Sequence, residues 1–330
     1  MSGSNSHPIR YLNRHHLDSL GLDPSRMVDA LEEMFRLHHA GKTHMPPKIF
    51  FHLEKDRFYS AMASASPKLG FAASKWQSGD PANPDHGLPY IQGLLVLNEH
   101  EHGRMVAIMD AAWITGQRTA MASGLVARYQ ARQDSRVLCL LGCGVQGRAH
   151  LGALRREVPS LDRCRVFDIV PERQAGFIEE MGARFPDLEL TGCRTAREAV
   201  DGADVIVTGG PITTRPEPTI EPDWIAGGAL IVTIDYDSYV TDACIEAMDL
   251  VITDDIGQIE DARAREGKFR GVKRIDADLA ALIAAGEGRR TDDAQRIMAF
   301  NLGIALEDLA LARLLYQEAG NRDIGVLLER

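Results

Sequence analysis

Apolar and polar positions follow one rhythm in the first third of the chain and another beyond it. After Asp23-Pro24, apolar residues recur at helical spacing, with Met27, Leu31, Met34 and Leu37 on one face, and the pattern stops near Gly41. Strand-like runs follow at 49–53, 58–64 and 69–76. Two more, 91–97 and 104–110, flank the polar turn Asn98-Glu99-His100-Glu101-His102-Gly103 and predict a β-hairpin. This opening stretch reads as an α+β unit with an antiparallel or mixed sheet. From Thr119 a helix is expected as far as Tyr129, and then strands and helices alternate. The strands fall at 136–141, 165–168, 188–191, 204–208, 229–234 and 250–252, with helical segments at 171–185, 196–200 and 242–248 between them. Such alternation predicts an α/β fold, a Rossmann-type doubly wound parallel sheet. The segment 292–314 carries Ile297, Phe300, Ile304 and Leu309 at helical spacing and predicts one long helix near the C-terminus. The clearest long loop is Thr213–Pro218, after a strand end, where ligands bind in open α/β sheets. Met1 to His7 reads as a loose tail.

Composition narrows the class. With 330 residues, 45% hydrophobic and 25% charged, the chain has the makeup of an ordinary globular protein large enough for two domains. A net charge of −10 argues against a nucleic-acid partner. No apolar run reaches membrane-spanning length and the polar N-terminus carries no secretory signal, so a cytoplasmic protein with no membrane partner is expected. Cys139, Cys143, Cys164, Cys193 and Cys244 form no CxxC pair and read as reduced, mostly buried thiols. His15, His16, His38, His39, His44, His52, His100 and His102 show no metal-ligand spacing and no acid cluster to join them, so no metal is expected.

The sharpest motif is Gly142-Cys143-Gly144-Val145-Gln146-Gly147. It follows the apolar run 137–141 and precedes a helical segment, in the strand–turn–helix order of a dinucleotide-binding fingerprint. Gly142 permits the turn, Gly144 lets the backbone approach a pyrophosphate, and Gly147 lets helix and strand pack closely. The next strand ends in Asp168, about 20 residues on, where an acid accepts both ribose hydroxyls and repels a 2′-phosphate. The expected cofactor is NAD(H).

Several separated motifs now line up: Met45-Pro46-Pro47-Lys48, Gly70-Phe71-Ala72-Ala73-Ser74-Lys75-Trp76, Trp113-Ile114-Thr115-Gly116-Gln117-Arg118-Thr119-Ala120, the glycine turn, Asp237 after the fifth nucleotide-domain strand, and Gly303-Ile304-Ala305-Leu306-Glu307-Asp308. Together they resemble the ornithine cyclodeaminase/μ-crystallin family over residues 10–315 or so. The resemblance implies a homodimer built through N-terminal domains. It implies a substrate-binding and dimerisation domain (1–118 with 300–330), an NAD-binding domain (119–299) and a substrate site between them. It implies chemistry at the carbon–nitrogen bond of a small amino or imino acid. Arg118 would grip the substrate carboxylate, its fork giving two parallel hydrogen bonds. Lys75 would pair with that carboxylate or move a proton, and Lys48 stands where many relatives carry an arginine. Asp237 would be the catalytic acid, with Asp235, at a usual glycine, competing for the role or capping the next helix with it. Val145, Gln146, Thr119 and Thr208 would join the cofactor site, and Gln117 the substrate pocket. Arg118 also reads as an arginine at a helix start, where the dipole disfavours it unless it has a function.

Some positions depart from the family pattern. Asp237-Ser238-Tyr239-Val240-Thr241 lacks the Asp-Cys-Pro-Gly-Lys of ornithine-cyclising members. Gly116-Gln117 replaces Ala-Leu, and Asn301-Leu302-Gly303 replaces Ser-Val-Gly near the nicotinamide. The altered segment after Asp237 favours an NAD(H)-dependent imine reductase or amino-acid dehydrogenase. The alternatives are a redox-neutral cyclodeaminase that keeps NAD bound, and a non-catalytic nucleotide-binding protein of the μ-crystallin type. Trp76 and Tyr90 fit a pocket wall or the core, His150 fits packing, and Asp254-Asp255 fits a helix cap or the pocket.

Overall fold

The computed structural model describes residues 7–53, 56–212, 215 and 217–329. Of the expected tail and long loop, Met1–Ser6, Thr213, Thr214 and Pro216 lie outside the described residues. The chain forms two units, Met1–Arg118 with Ile304–Arg330, and Thr119–Gly303. No described helix is long and apolar enough to cross a membrane.

The first unit is built on a 7-stranded mixed sheet in the order β15-β1-β6-β5-β4-β3-β2. In chain order its elements are β1 (Ile9–Leu12), α1 (Arg14–Ser19), α2 (Pro24–His39), β2 (Ile49–His52), β3 (Phe58–Ser66), β4 (Phe71–Gly79), β5 (Ile91–Glu99) and β6 (Met105–Asp110). β5 and β6 pair antiparallel, as the hairpin reading expects. Alternation of side chains sends Met62, Ser64, Ala73, Lys75, Gln77, Leu95 and Leu97 to a buried face. The opposite face carries a cross-strand row of Ile49, Ala61, Trp76 and Leu94. Trp76 therefore faces away from Lys75 and is not core: it is half exposed and stacks on Tyr59 at 5.8 Å. Tyr90 packs edge-on to Phe58, and burial pushes its phenol up to about 12.

α3 (Ala111–Gln130) starts eight residues before the expected Thr119. The Asp110 carboxylate accepts the Trp113 N–H at 2.8 Å, which satisfies one of the amides of the first turn and lets the helix begin directly after β6.

The second unit is the expected parallel sheet, 8-stranded, in the order β13-β12-β14-β11-β10-β7-β8-β9. The strands are β7 (Val137–Leu141), β8 (Arg163–Phe167), β9 (Glu189–Gly192), β10 (Val205–Thr208), β11 (Leu230–Thr233), β12 (Leu250–Thr253), β13 (Ala277–Asp278) and β14 (Ile297–Phe300). The helices between them are α4 (Val145–Glu157), α5 (Pro171–Arg184), α6 (Ala196–Val200), α7 (Asp242–Glu246), α8 (Ile256–Glu266) and α9 (Leu279–Ala285). Strand order reverses at β7, so the glycine turn sits at the topological switch point. All five cysteines are buried and unpaired.

The segment 292–314 is not one helix. Ile297-Met298-Ala299-Phe300 forms β14, fully buried between β11 and β12. The helix α10 (Ala305–Asn321) begins only afterwards, and β15 (Val326–Leu328) closes the first sheet. A short apolar run buried on both faces carries no period, so helical spacing around it arose from two different elements. α10 packs on β3, β4 and β5 of the first unit and against α2.

Candidate active site

In the first unit, the buried face of the sheet and two helices gather four charges. Lys75, on β4, is fully buried. Its ammonium donates to Asp308 at 2.9 Å and to Thr115 at 3.1 Å, and the Thr115 hydroxyl donates to Gln77 at 3.0 Å. Arg118 is also buried; Nη1 donates to Glu307 at 3.0 Å, and Nε lies 3.2 Å from Asp308. Glu307 and Asp308 stand at the start of α10, where carboxylates face the positive end of the helix dipole. Burial pushes the Lys75 ammonium down to about 8, against the opposing pull of Asp308.

Arg118 is not at a helix start. It lies inside α3, seven residues past Ala111, so the dipole argument for it falls away. The stronger argument is the pair of carboxylates that surrounds it. The sequence reading quoted Glu307 and Asp308 as a motif but gave them no role. Their signal was there: two adjacent acids within an apolar helical run are buried, and a buried acid needs a cation. Gln117 is half-buried on α3, and the contact seen for Lys48 is with an aromatic face, 5.8 Å from the Phe50 ring centre.

In the second unit the glycine turn has the geometry of an anion cradle. Gly142 takes φ +111°, and a Cβ there would lie 2.6 Å from the Gly209 carbonyl. A Cβ on Gly147 would lie 2.3 Å from the Gly142 carbonyl, so helix and turn pack too closely for any side chain. A Cβ on Gly144 would meet nothing within 4 Å: its space opens outward. Gly144 caps α4 with no side chain, which leaves the first amides of that helix for an anion. Asp168 accepts Cys143 N–H at 2.8 Å and Val170 N–H at 2.9 Å, which sets its carboxylate against the turn. The Oε1 of Gln146 and the Oδ1 of Asn301 are buried with no hydrogen-bond partner among the described residues. Open space at Gly144, an uncapped helix start and orphaned acceptors fit a dinucleotide. Val145 is exposed, and the Thr119 carbonyl lies 3.2 Å from the Ser123 hydroxyl.

The two acids after β11 differ. Asp235 is fully buried, accepting Thr208 Oγ1 at 2.8 Å and Gly210 N–H at 3.0 Å. Burial pushes it up to about 7, against those two donors. The Thr208 hydroxyl proton is thus committed inside the protein. Asp237 is half-buried; Oδ2 accepts Phe269 N–H at 2.5 Å, and Oδ1 is buried with no hydrogen-bond partner among the described residues. Tyr236 between them takes φ +64°, a strained conformation for a non-glycine residue. Neither acid caps α7, because Thr241 does. Asp255 caps α8, while Asp254 accepts Gly303 N–H at 2.6 Å.

One expectation about metals needs correction. The β5–β6 turn brings ligand atoms of Glu99, Glu101 and His102 within 4.8 Å of one another. Glu99 there accepts the main-chain N–H groups of His102 and Arg104, so the grouping is what closes the turn.

Comparison with known proteins gives the family. The ornithine cyclodeaminase/mu-crystallin family matches residues 19–323. The chain is 30% identical over 322 residues to the alanine dehydrogenase of Archaeoglobus fulgidus, covering 95% of this chain and 96% of that one. The structure of Thermococcus litoralis Δ1-pyrroline-2-carboxylate reductase, in complex with NADH and L-proline, superimposes with a TM-score of 0.86 at 28% identity, covering 96% and 99% of the two chains. An archaeal alanine dehydrogenase dimer with bound NAD gives 0.84 at 30% identity, over 97% and 99%. The chain belongs to the ornithine cyclodeaminase/mu-crystallin family.

Proposed function

We propose that this chain is an NAD(H)-dependent oxidoreductase acting at the Cα–N bond of a small α-imino or L-amino acid. The observation that carries the reading is the buried Lys75–Arg118 pair, held by Glu307 and Asp308, in a chain that also bears a dinucleotide turn closed by Asp168. Relatives of about 30% identity include an alanine dehydrogenase and a reductase bound to NADH and L-proline. When bound, NAD(H) would supply the acceptor for hydride leaving the amino-acid Cα, or the donor of hydride to the imine carbon.

Each site residue has a defined task. Gly144 and the first amides of α4 would hold the pyrophosphate, and Asp168 the adenosine ribose. Arg118 orients the substrate carboxylate, with its guanidinium plane fixed by two protein acids. Lys75, lowered to about 8, adds a second positive contact or exchanges a proton with the nitrogen. Asp237, through its unpaired oxygen, stabilises the iminium or handles its proton. Gln117 and Lys48 shape the rim of the substrate pocket.

The test is to follow NADH absorbance with a panel of cyclic α-imino acids and of α-keto acids with amines. Substrate-dependent NADH loss is expected. Ammonia release from a diamino acid under catalytic NAD⁺, without net NADH loss, would replace this reading with a cyclodeaminase. Silence in both assays with NADH still bound would leave a binding protein.

The same proposal includes a homodimer. The face of the first sheet bearing Ile49, Phe51, Trp76 and Leu94 is apolar and exposed. A contiguous exposed apolar patch is the mark of an interface, and an archaeal relative is a dimer. Trp76→Glu should shift the mass measured by light scattering from dimer to monomer; a wild-type monomer would end this part of the proposal.

A further inference from the structure

A chain of hydrogen bonds in the second unit fixes the orientation of one side-chain amide. His150 is fully buried, and its Nδ1 lies 2.8 Å from the Gln146 carbonyl. A carbonyl only accepts, so Nδ1 carries the proton. Burial lowers the imidazole to about 4, so the ring is neutral and Nε2 is an acceptor. Ser123 Oγ, 2.9 Å from Nε2, must therefore donate its only proton there, although the Thr119 carbonyl lies at 3.2 Å. That leaves Ser123 Oγ as an acceptor toward Asn301, 3.3 Å away, which must present its NH2. Asn301 Oδ1 is thus turned the other way, 97% of the residue's surface being buried (3% exposed), with no hydrogen-bond partner among the described residues. A buried carbonyl oxygen without a donor is costly, and the relay prevents the amide from flipping to avoid it.

Asn301 follows β14, and its main-chain N–H donates to Thr233 at 2.9 Å. It therefore sits at the C-terminal ends of the parallel strands, where ligands of such sheets bind. β14 is separated from β7 by β11 and β10, on the opposite side of β7 from β8 and Asp168. Three strand spacings, about 14 Å, separate β14 from the strand that leads into the glycine turn. The adenine amine belongs to the Asp168 side. On the Asn301 side a bound NAD(H) would present the carboxamide of its nicotinamide, whose N–H can serve a carbonyl acceptor.

We infer that Asn301 Oδ1 accepts the carboxamide N–H of NAD(H), and that Ser123 and His150 are positioning residues that hold the acceptor in place. This rests on the NAD(H) reading above. It also gives His150 a role that packing alone did not: the ring sets the sense of every hydrogen bond leading to Asn301.

The test compares equilibrium binding of NADH and of its reduced 3-acetylpyridine analogue to the full-length protein by calorimetry. The analogue keeps the ring carbonyl and replaces NH2 with methyl, so it has no proton for Asn301. Wild type should prefer NADH by about tenfold, one hydrogen bond to a buried acceptor. Asn301→Leu should bring the two affinities within about twofold, and Ser123→Ala should give an intermediate ratio. Equal affinities in wild type, or an unchanged ratio in Asn301→Leu, would overturn the inference. If Asn301→Leu binds neither nucleotide, Ser123→Ala decides: a reduced ratio supports the relay and an unchanged one ends it. Failure of wild type to bind either nucleotide would instead end the NAD(H) reading.

Discussion

The two units solve the same problem, preparing a polar site inside a protein, by opposite means. The first unit buries four full charges, Lys75, Arg118, Glu307 and Asp308, and compensates each with another before any ligand arrives. The second buries almost no net charge at the glycine turn. It relies on backbone clearance at Gly142 and Gly147, open space at Gly144, and neutral acceptors such as Gln146 Oε1 and Asn301 Oδ1. A charge costs too much to bury alone, so the first site must be internally complete. A neutral acceptor costs less, so the second can wait for the ligand to complete it.

The contrast breaks most visibly at Asp308. Its removal leaves the buried Lys75 ammonium and the Nε edge of Arg118 without their counter-charge. Asp308→Ala should lower stability by about 3–5 kcal/mol, the cost of breaking a buried pair from one side. Thermal unfolding checks this, with Lys75→Met/Asp308→Leu expected to recover much of the loss. A single-variant loss under about 1 kcal/mol would mean that the cluster is not held by charge compensation.

The glycines test the other side. Gly147→Ala pushes a methyl to 2.3 Å from a backbone carbonyl and should lower both stability and NADH affinity, the latter by more than about tenfold. Gly144→Ala meets no protein atom, and its φ of −84° suits alanine, so stability should hold while NADH affinity falls by about tenfold. Parallel calorimetry and melting curves separate the cases. If Gly144→Ala leaves NADH affinity intact, the open space is not where the pyrophosphate lies.

What the chain disclosed in advance follows the same division. The cradle was legible because its residues are contiguous: Gly142 to Gly147 between an apolar run and a helix, with Asp168 one strand later. The charge cluster joins β4, α3 and α10, with 233 positions between Lys75 and Asp308 and 189 between Arg118 and Glu307, so Lys75 and Arg118 come from family motifs and not from spacing. Their carboxylate partners stand together in the Gly303–Asp308 motif, but which cation each meets is visible only in three dimensions. β14 leaves no periodic signal because a strand buried on both faces has no alternation, and the start of α3 is hidden because Asp110 both ends a strand and caps the helix. The relay from His150 to Asn301 crosses 151 positions of sequence and leaves no local pattern.

Asp168 gives a smaller effect. Its oxygens hold the Cys143 and Val170 N–H groups as well as facing the ribose site, so Asp168→Ala removes turn support and ribose acceptor together. NADH affinity should fall by about tenfold and NADPH affinity by less, narrowing the preference. If the ratio of the two does not move, the acid serves the turn alone.

The finest test concerns the proton on Lys75. Burial lowers this ammonium from 10.5 to about 8, so the folded protein releases the proton at a pH where an unfolded lysine keeps it. The sign follows directly. Below about 8 both states are protonated and the full cost of burying the charge is present; as pH rises from about 8 to 10.5 the folded state sheds it, and stability from this group increases. Activity should move the other way, because the ammonium that meets the substrate carboxylate is lost through the same range. A pH series should show an alkaline limb centred near 8, expressed in KM if Lys75 only pairs with the carboxylate and in kcat if it also donates a proton. Lys75→Arg, which stays charged, should remove that limb while preserving part of the binding. A flat profile from pH 7 to 9 in wild type would show that Asp308 outweighs burial, and that the first unit compensates its charges more completely than the lowered lysine implies.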